Sequence, residues 1–264
     1  MTAEKLPDVQ NEMKPKHEIA INRVGITDFK LPIFISQKDG GVQHSVATIS
    51  CFVDLAPEIK GISMSRIPIG LMKFASEQLS SNLMLKIAEN IRTSVEADLC
   101  DIGYYFTYFL TKHAPMSFEP GILPYEIWFN MIKTQNTRVF RMSVETIATS
   151  SCPCSKEISK YSAHNQKSRI KITCEAKSEA MVWIEDLIKI AEDSSSCEIF
   201  SVLKRPDEKF VTEKMFEESK FVEDIARECY HKIEQIDSIL KFKIEVINDE
   251  SIHAHSAKAI ISNY

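Results

Sequence analysis

The sequence predicts an α+β protein built from antiparallel sheets with segregated helices, in two modules of similar plan. Three observations predict it. Apolar and polar residues alternate in several runs of the 264-residue chain, which is the period of a half-buried strand. Three other stretches carry apolar residues at helical spacing. The elements run in the order two strands, helix, two strands, then two strands, two helices, two strands, so the second half repeats the plan of the first.

Residues 1–16, "MTAEKLPDVQNEMKPK", are polar, contain Pro7 and Pro15 and show no periodicity; they read as a mobile N-terminal arm. The first module, 17–137, opens with the alternating run "IAINRVGI" and a second from Ala47 to Leu55. Leu79, Leu83, Ile87, Ile91 and Val95 then recur every fourth residue, predicting an amphipathic helix capped by Ser80 or Ser81. "GYYFTYFLT" and "EIWFNMIKT" read as strands, and Asn136 as a turn. The second module, 138–264, predicts strands at about 138–149 and 168–176 and helices at about 180–192 and 219–236. It closes with the alternation "KFKIEVI" and a last strand, "AKAIIS".

Composition narrows the function. A core of ordinary size is available from 44% apolar residues, and a net charge of −5 argues against a non-specific nucleic-acid binder. Seven cysteines without a framework spacing point to reduced thiols in a cytoplasmic protein rather than a secreted disulfide scaffold. The N-terminus lacks the apolar run of a signal peptide, and no stretch approaches a membrane span, so no membrane partner is expected. With seven glycines and neither GxGxxG nor GxxxxGK[ST], a Rossmann or P-loop site is not indicated.

The densest chemistry lies in "SSCPCSKEISKYSAHNQKS". Two thiols, Cys152 and Cys154, flank Pro153, and His164 follows ten residues after the second. Thiolate and neutral imidazole suit a zinc-like divalent ion. Pro153 fixes φ and so presets where both thiols point. No second CxC or CxxC completes a closed structural site, and a site with too few protein ligands leaves room for water, as a catalytic metal requires. The same cysteines taken alone read equally as small buried residues. Three further segments share this polar density. "DSSSCEIFSVLKRPDEKFVTEK" holds Glu198, Lys204, Arg205 and Glu213; "NDESIHAHSAKA" holds His253 and His255; "KGISMSRIPIG" holds Arg66. On a strand, His253 and His255 would face one side, though two solvated histidines fit that spacing as well. Glu213 fits a solvated helix-start carboxylate equally.

Together, "INRVGITDFKLPI", "KGISMSRI", "SSCPCSKEISKYSAHNQKSRI", "LKRPDEKFVTEK" and "ESIHAHSAKA" resemble the prokaryotic GTP cyclohydrolase type IB family, in order and over nearly the whole chain. Ser63 departs from the histidine expected in that family's Gly-x-His-Met-Ser-Arg stretch. The resemblance implies the tunnelling fold, with two modules per subunit and subunits joined into a barrel, here a homotetramer, with sites at the interfaces. It implies a divalent metal held by Cys152, His164 and Glu198, and a guanine gripped by Glu213. Cys152, Cys154 and His253 would line the reacting centre, with His255 a weaker candidate. A mixed sulfur, nitrogen and oxygen shell admits zinc, manganese or iron. The implied reaction adds water at C8 of GTP, with His253 as acid toward N7, expels formate and recloses to 7,8-dihydroneopterin triphosphate. Lys204 and Arg205, with Lys156 and Lys209 nearby, are the cations available to the triphosphate.

Two other readings remain at this point. A nitrile reductase of the same fold would use its cysteine as nucleophile with NADPH. A zinc-stabilised binding module would bind metal without turnover.

Overall fold

The computed structural model describes residue 10 and residues 13–177 and 181–264. Most of the expected N-terminal arm, and the start expected for the helix at 180, lie outside these residues. The chain forms two compact units. The first comprises residues up to Ser36, His44–Phe106 and Phe129–Phe140; the second comprises Gln37–Gln43, Thr107–Trp128 and Arg141–Tyr264. Strands β4 (Leu99–His113) and β5 (Pro120–Thr134) have 15 residues each and contribute to both units.

In the first unit, β1 (Ile21–Ser36) and β2 (Val42–Leu55) precede β4. Strands β2 and β4 pair antiparallel, with Thr48 opposite Tyr105 and Val53 opposite Cys100. Ala47, Ile49, Cys51 and Val53 are fully buried, which is the predicted alternation. The expected helix is α2 (Ser81–Ser94). Ser80 caps it, its Oγ accepting from Leu83 N–H at 3.1 Å, and Leu83, Met84, Ile87, Ala88 and Ile91 form its buried face. A short helix absent from the sequence reading, α1 (Arg66–Met72), packs on α2. Gly70 permits the contact, since a Cβ there would stand 2.6 Å from Ile91 Cγ1. The two-residue β3 (Gln78–Leu79) joins β1 in parallel.

In the second unit, β6 (Arg138–Ser151), β7 (Asn165–Ala176), β9 (Ile239–Glu250) and β10 (Ser256–Ser262) form an antiparallel ladder, and β8 (Cys197–Glu198) lies against β6. Helices α4 (Ile184–Ser194) and α6 (Val222–Ile233) supply the opposing layer. Leu187, Ile188 and Ala191 of α4, and Ile225, Cys229 and Ile233 of α6, are buried, as are Ile170, Ile172, Ile244 and Val246 of the sheet. Two helices were not anticipated: α3 (Pro153–Ile158) and α5 (Arg205–Glu217).

Toward one end of this ladder the buried positions turn polar. Thr146, Ser150, Gln166, Ser168 and Asn248 are all buried. Ser150 and Ser168 hydroxyls meet at 2.9 Å, and Ser168 donates to Asn248 Oδ1 at 2.8 Å. Ser150, Ser168 and Asn248 satisfy one another across three strands, whereas Thr146 Oγ1 and Gln166 Oε1 have no hydrogen-bond partner among the described residues. Among the described residues, no helix is long and apolar enough to cross a membrane.

Candidate active site

Strand register brings the predicted residues to that polar end of the second unit. Ser151 pairs with Asn165 and Gln166 with Glu250, so the end of β6, the start of β7 and the end of β9 coincide. Cys152 follows β6, His164 precedes β7 and His253 lies just beyond β9. The backbone ties the first two together: Cys152 N–H donates to His164 O at 3.2 Å. Ser155 completes the link, its Oγ donating to Cys152 O at 3.1 Å and accepting from His164 N–H at 3.2 Å. Pro153 starts α3 directly after the extended Cys152. Cys152 is half-buried, Cys154 is exposed, and both are free thiols.

The imidazoles gather beside them. The His164 and His253 rings lie 6.4 Å apart edge to face, and His253 stacks on His255 at 5.2 Å with 26° between planes. On a strand, the spacing of the two C-terminal histidines would have turned both to one face. They instead occupy the turn between β9 and β10, and stacking rather than strand alternation aligns their rings. His253 Nε2 lies 3.1 Å from Glu250 Oε2, the group that fixes its ring.

Glu198 reaches this face from β8, opposite Ala148. Ala148, Ser150 and Cys152 follow one another at period two, so Glu198 and Cys152 share a face of the sheet. Four residues of strand, about 13 Å, separate the two positions. Lys112 explains where the Glu198 carboxylate goes. Its ammonium pairs with Glu198 and Glu192, the latter at 2.9 Å, and lies 4.8 Å from the Phe200 ring centre. Tyr125 donates to Glu192 at 2.8 Å. Burial raises the Glu192 carboxyl, and the Lys112 and Tyr125 contacts offset that only in part.

Glu213 lies on α5. Its carboxylate is 54% exposed and both oxygens are 2.6 Å from Lys209 Nζ, one turn earlier. Glu213 is therefore near the helix end and not at its start. Of the other cations, Lys204 pairs with Glu119, and Lys156 donates to Phe216 O and Glu217 O at 2.7 and 3.1 Å. Lys156 is thus a cap on the carbonyl end of α5, a role the sequence reading missed. Arg205 makes no ion pair among the described residues.

Helix α5 is fastened at both ends. Ser151 donates to Met215 O at 2.8 Å, which ties its last turn to the end of β6. At its start, Asp207 is fully buried and accepts four hydrogen bonds: Met116 N–H, Ser117 N–H and Lys204 N–H at 2.8 Å, and the Ser117 hydroxyl at 2.6 Å. Burial alone would raise this carboxyl. The donors from Ser117, Lys204 and Met116 outweigh it and hold Asp207 well below the usual carboxylate range.

The structure therefore brings Cys152, Cys154, His164, His253 and His255 to one sheet end, with Glu198 on the same face and Glu213 on the exposed side of α5. Among the described residues, no three Cys, His, Asp or Glu side chains stand together as a ready metal shell. The donor chemistry nonetheless fits a cation at the Cys152–His164 end. His164 Nδ1 is buried with no hydrogen-bond partner among the described residues, a state that an electron-pair acceptor would relieve.

Solved structures define the class of fold. A hyperthermostable mutant of the urate oxidase of Bacillus sp. TB-90 aligns with a TM-score of 0.55 at 10% identity, covering 92% of this chain and 99% of the other. The uricase of Bacillus fastidious gives 0.55 at 9% identity and 92% coverage of both chains. The fold is the α+β tunnelling fold. Sequence then supplies the family. GTP cyclohydrolase FolE2 of Nitrosomonas eutropha is 42% identical over 261 residues, covering 98% of this chain and 96% of the relative. Its counterpart from Thermosipho melanesiensis is 40% identical over 258 residues, covering 98% of each. The model of type I GTP cyclohydrolase FolE2 matches residues 6–259, and the chain belongs to that family. The type I class expected from the motifs is thus the family's, under the name FolE2. A nitrile reductase is not.

Proposed function

We propose that this protein is a GTP cyclohydrolase I of the type IB class, converting GTP to 7,8-dihydroneopterin triphosphate and formate at the head of pterin and folate synthesis. The observation that carries the reading is the convergence of Cys152, His164 and His253 at one sheet end in a chain of the FolE2 family.

Each residue has a part. Cys152 and His164 would hold a divalent cation, whether zinc, manganese or iron, and Glu198 would join them on leaving Lys112. When bound, that ion supplies a nucleophilic water at neutral pH. Glu213 accepts from guanine N1–H and the 2-amino group, a bidentate match adenine lacks. Lys209 does not prevent this. An exposed pair spaced i, i+4 contributes only about 0.3–0.5 kcal/mol, less than the charge-assisted bonds that replace it. His253, oriented by Glu250, protonates N7 and makes C8 electrophilic. Cys154 lines the same centre. Arg205 meets the triphosphate, and Lys204 joins it on leaving Glu119.

The exposure of Glu213, Cys154 and His255 supports a site closed by a second copy, in a homotetramer with interfacial centres. Free cysteines support a cytoplasmic setting. Incubation of the purified protein with GTP and Mn²⁺ or Zn²⁺, followed by oxidation, tests the reading. A fluorescent pterin is expected, and intact GTP at every metal tried would overturn it.

A further inference from the structure

Residues 114–122, the turn between β4 and β5 with the start of β5, lie 79 to 91 positions before their partners in the segment that leads into and begins the helix carrying Glu213, yet three contacts bind the two. Asp207 takes two backbone N–H groups and a hydroxyl from the turn and one N–H from the start of α5. Lys204 pairs with Glu119. Ser201 donates to Ile122 O at 2.9 Å, where Gly121 comes so close that a Cβ would stand 2.6 Å from Ser201 Oγ. A carboxylate without exposed surface, with its four hydrogen bonds among the described residues all directed at these two segments, holds the start of α5 in place.

We propose that Asp207 is a positioning residue for guanine recognition, holding α5 on the β4–β5 turn so that the Glu213 carboxylate meets both guanine donors. This rests on the reading of Glu213 as the guanine ligand. A bidentate grip is sensitive to placement, because a shift of about 1 Å keeps one hydrogen bond and loses the other. Asp207 has no contact with substrate in this account; it acts through Glu213. The short spacing from Asp207 to Glu213, six residues along one rigid helix, transmits any displacement of the helix start.

The test compares GTP with ITP, which keeps N1–H but lacks the 2-amino group. Equilibrium binding of each to the metal-free full-length protein gives a preference ratio, while fitted stoichiometry reports the folded fraction separately. Wild type should favour GTP by about 10–100-fold, the value of one charge-assisted hydrogen bond. D207N keeps an oxygen for the turn but sets an amide donor against Lys204 N–H, releasing the helix start. Its preference should fall about tenfold at unchanged stoichiometry. D207N binding with the wild-type ratio overturns the proposal. Should D207N fail to fold, Ser117→Ala removes a single donor from the turn. A smaller fall in the ratio then supports the proposal, and an unchanged ratio overturns it. E213Q separates the underlying reading: if E213Q itself keeps the wild-type ratio, Glu213 is not the guanine ligand. If E213Q loses the preference and D207N keeps it, only the positioning role fails.

Discussion

Glu213→Gln separates recognition from folding more sharply than any other single change. Among the described residues, Glu213 pairs only with Lys209, at an exposed helix surface, so the substitution should lower stability by no more than about 0.5 kcal/mol. On GTP the effect is larger. The carboxylate loses two charge-assisted hydrogen bonds, and the new amide sets a donor against guanine donors, a cost of about 2–4 kcal/mol. At 1.36 kcal/mol per tenfold, that is about 30- to 900-fold in affinity. The assay is GTP binding to metal-free protein by titration calorimetry, with a thermal melt and a metal titration of the same preparation. The expected outcome is a large loss of GTP affinity with the melt within about 2 °C of wild type and metal binding retained. A weakening below about threefold would refute the purine assignment, and loss of metal with GTP affinity kept would exchange the roles of Glu213 and Glu198.

Three other outcomes follow from the same geometry. Cys152→Ala should abolish metal-dependent GTP turnover and metal binding while leaving circular dichroism unchanged; wild-type turnover would remove Cys152 from the metal set. His253→Ala should keep metal and bind GTP nearly normally, yet lose about two to four orders of magnitude in kcat, with His255→Ala milder. A defect confined to His255→Ala would move the acid there, and metal loss in His253→Ala would make that residue a ligand. Lys112→Met should destabilise the protein by about 3–5 kcal/mol, because it leaves Glu192, 10% exposed, and Glu198 without their shared cation. A chemical denaturation midpoint equal to wild type would show that this buried pair is not a net contributor.

Much of this was legible in the sequence where burial is periodic. Alternation located β2, β6, β7 and β9, and the every-fourth-residue pattern located α2 and its Ser80 cap, because one face of each element is buried and the other wet. Helix α5 escaped because Asp207 is its one buried residue, so it shows no apolar stripe. Its signal was different in kind: Pro206 inside the first turn and Asp207 three residues after Lys204, the arrangement of a helix start. Helix α1 was masked by Pro68 and Gly70, whose usual punctuation hides a close helix contact. At the site, Cys152, His164 and His253 could be named from their motifs. Lys112, Tyr125 and Glu192 could not, since they act through pairing across 67 to 86 residues of sequence and carry no local pattern. The reach of Glu198 toward Lys112 was hidden for the same reason.

The fate of carbon 8 decides the proposed activity most directly. GTP labelled at that carbon, incubated with purified protein and a divalent metal, should release label as formate in one-to-one proportion with a pterin triphosphate, and Cys152→Ala should release none. Recovery of the label in guanine, GDP or unchanged GTP, with no formate, would contradict it.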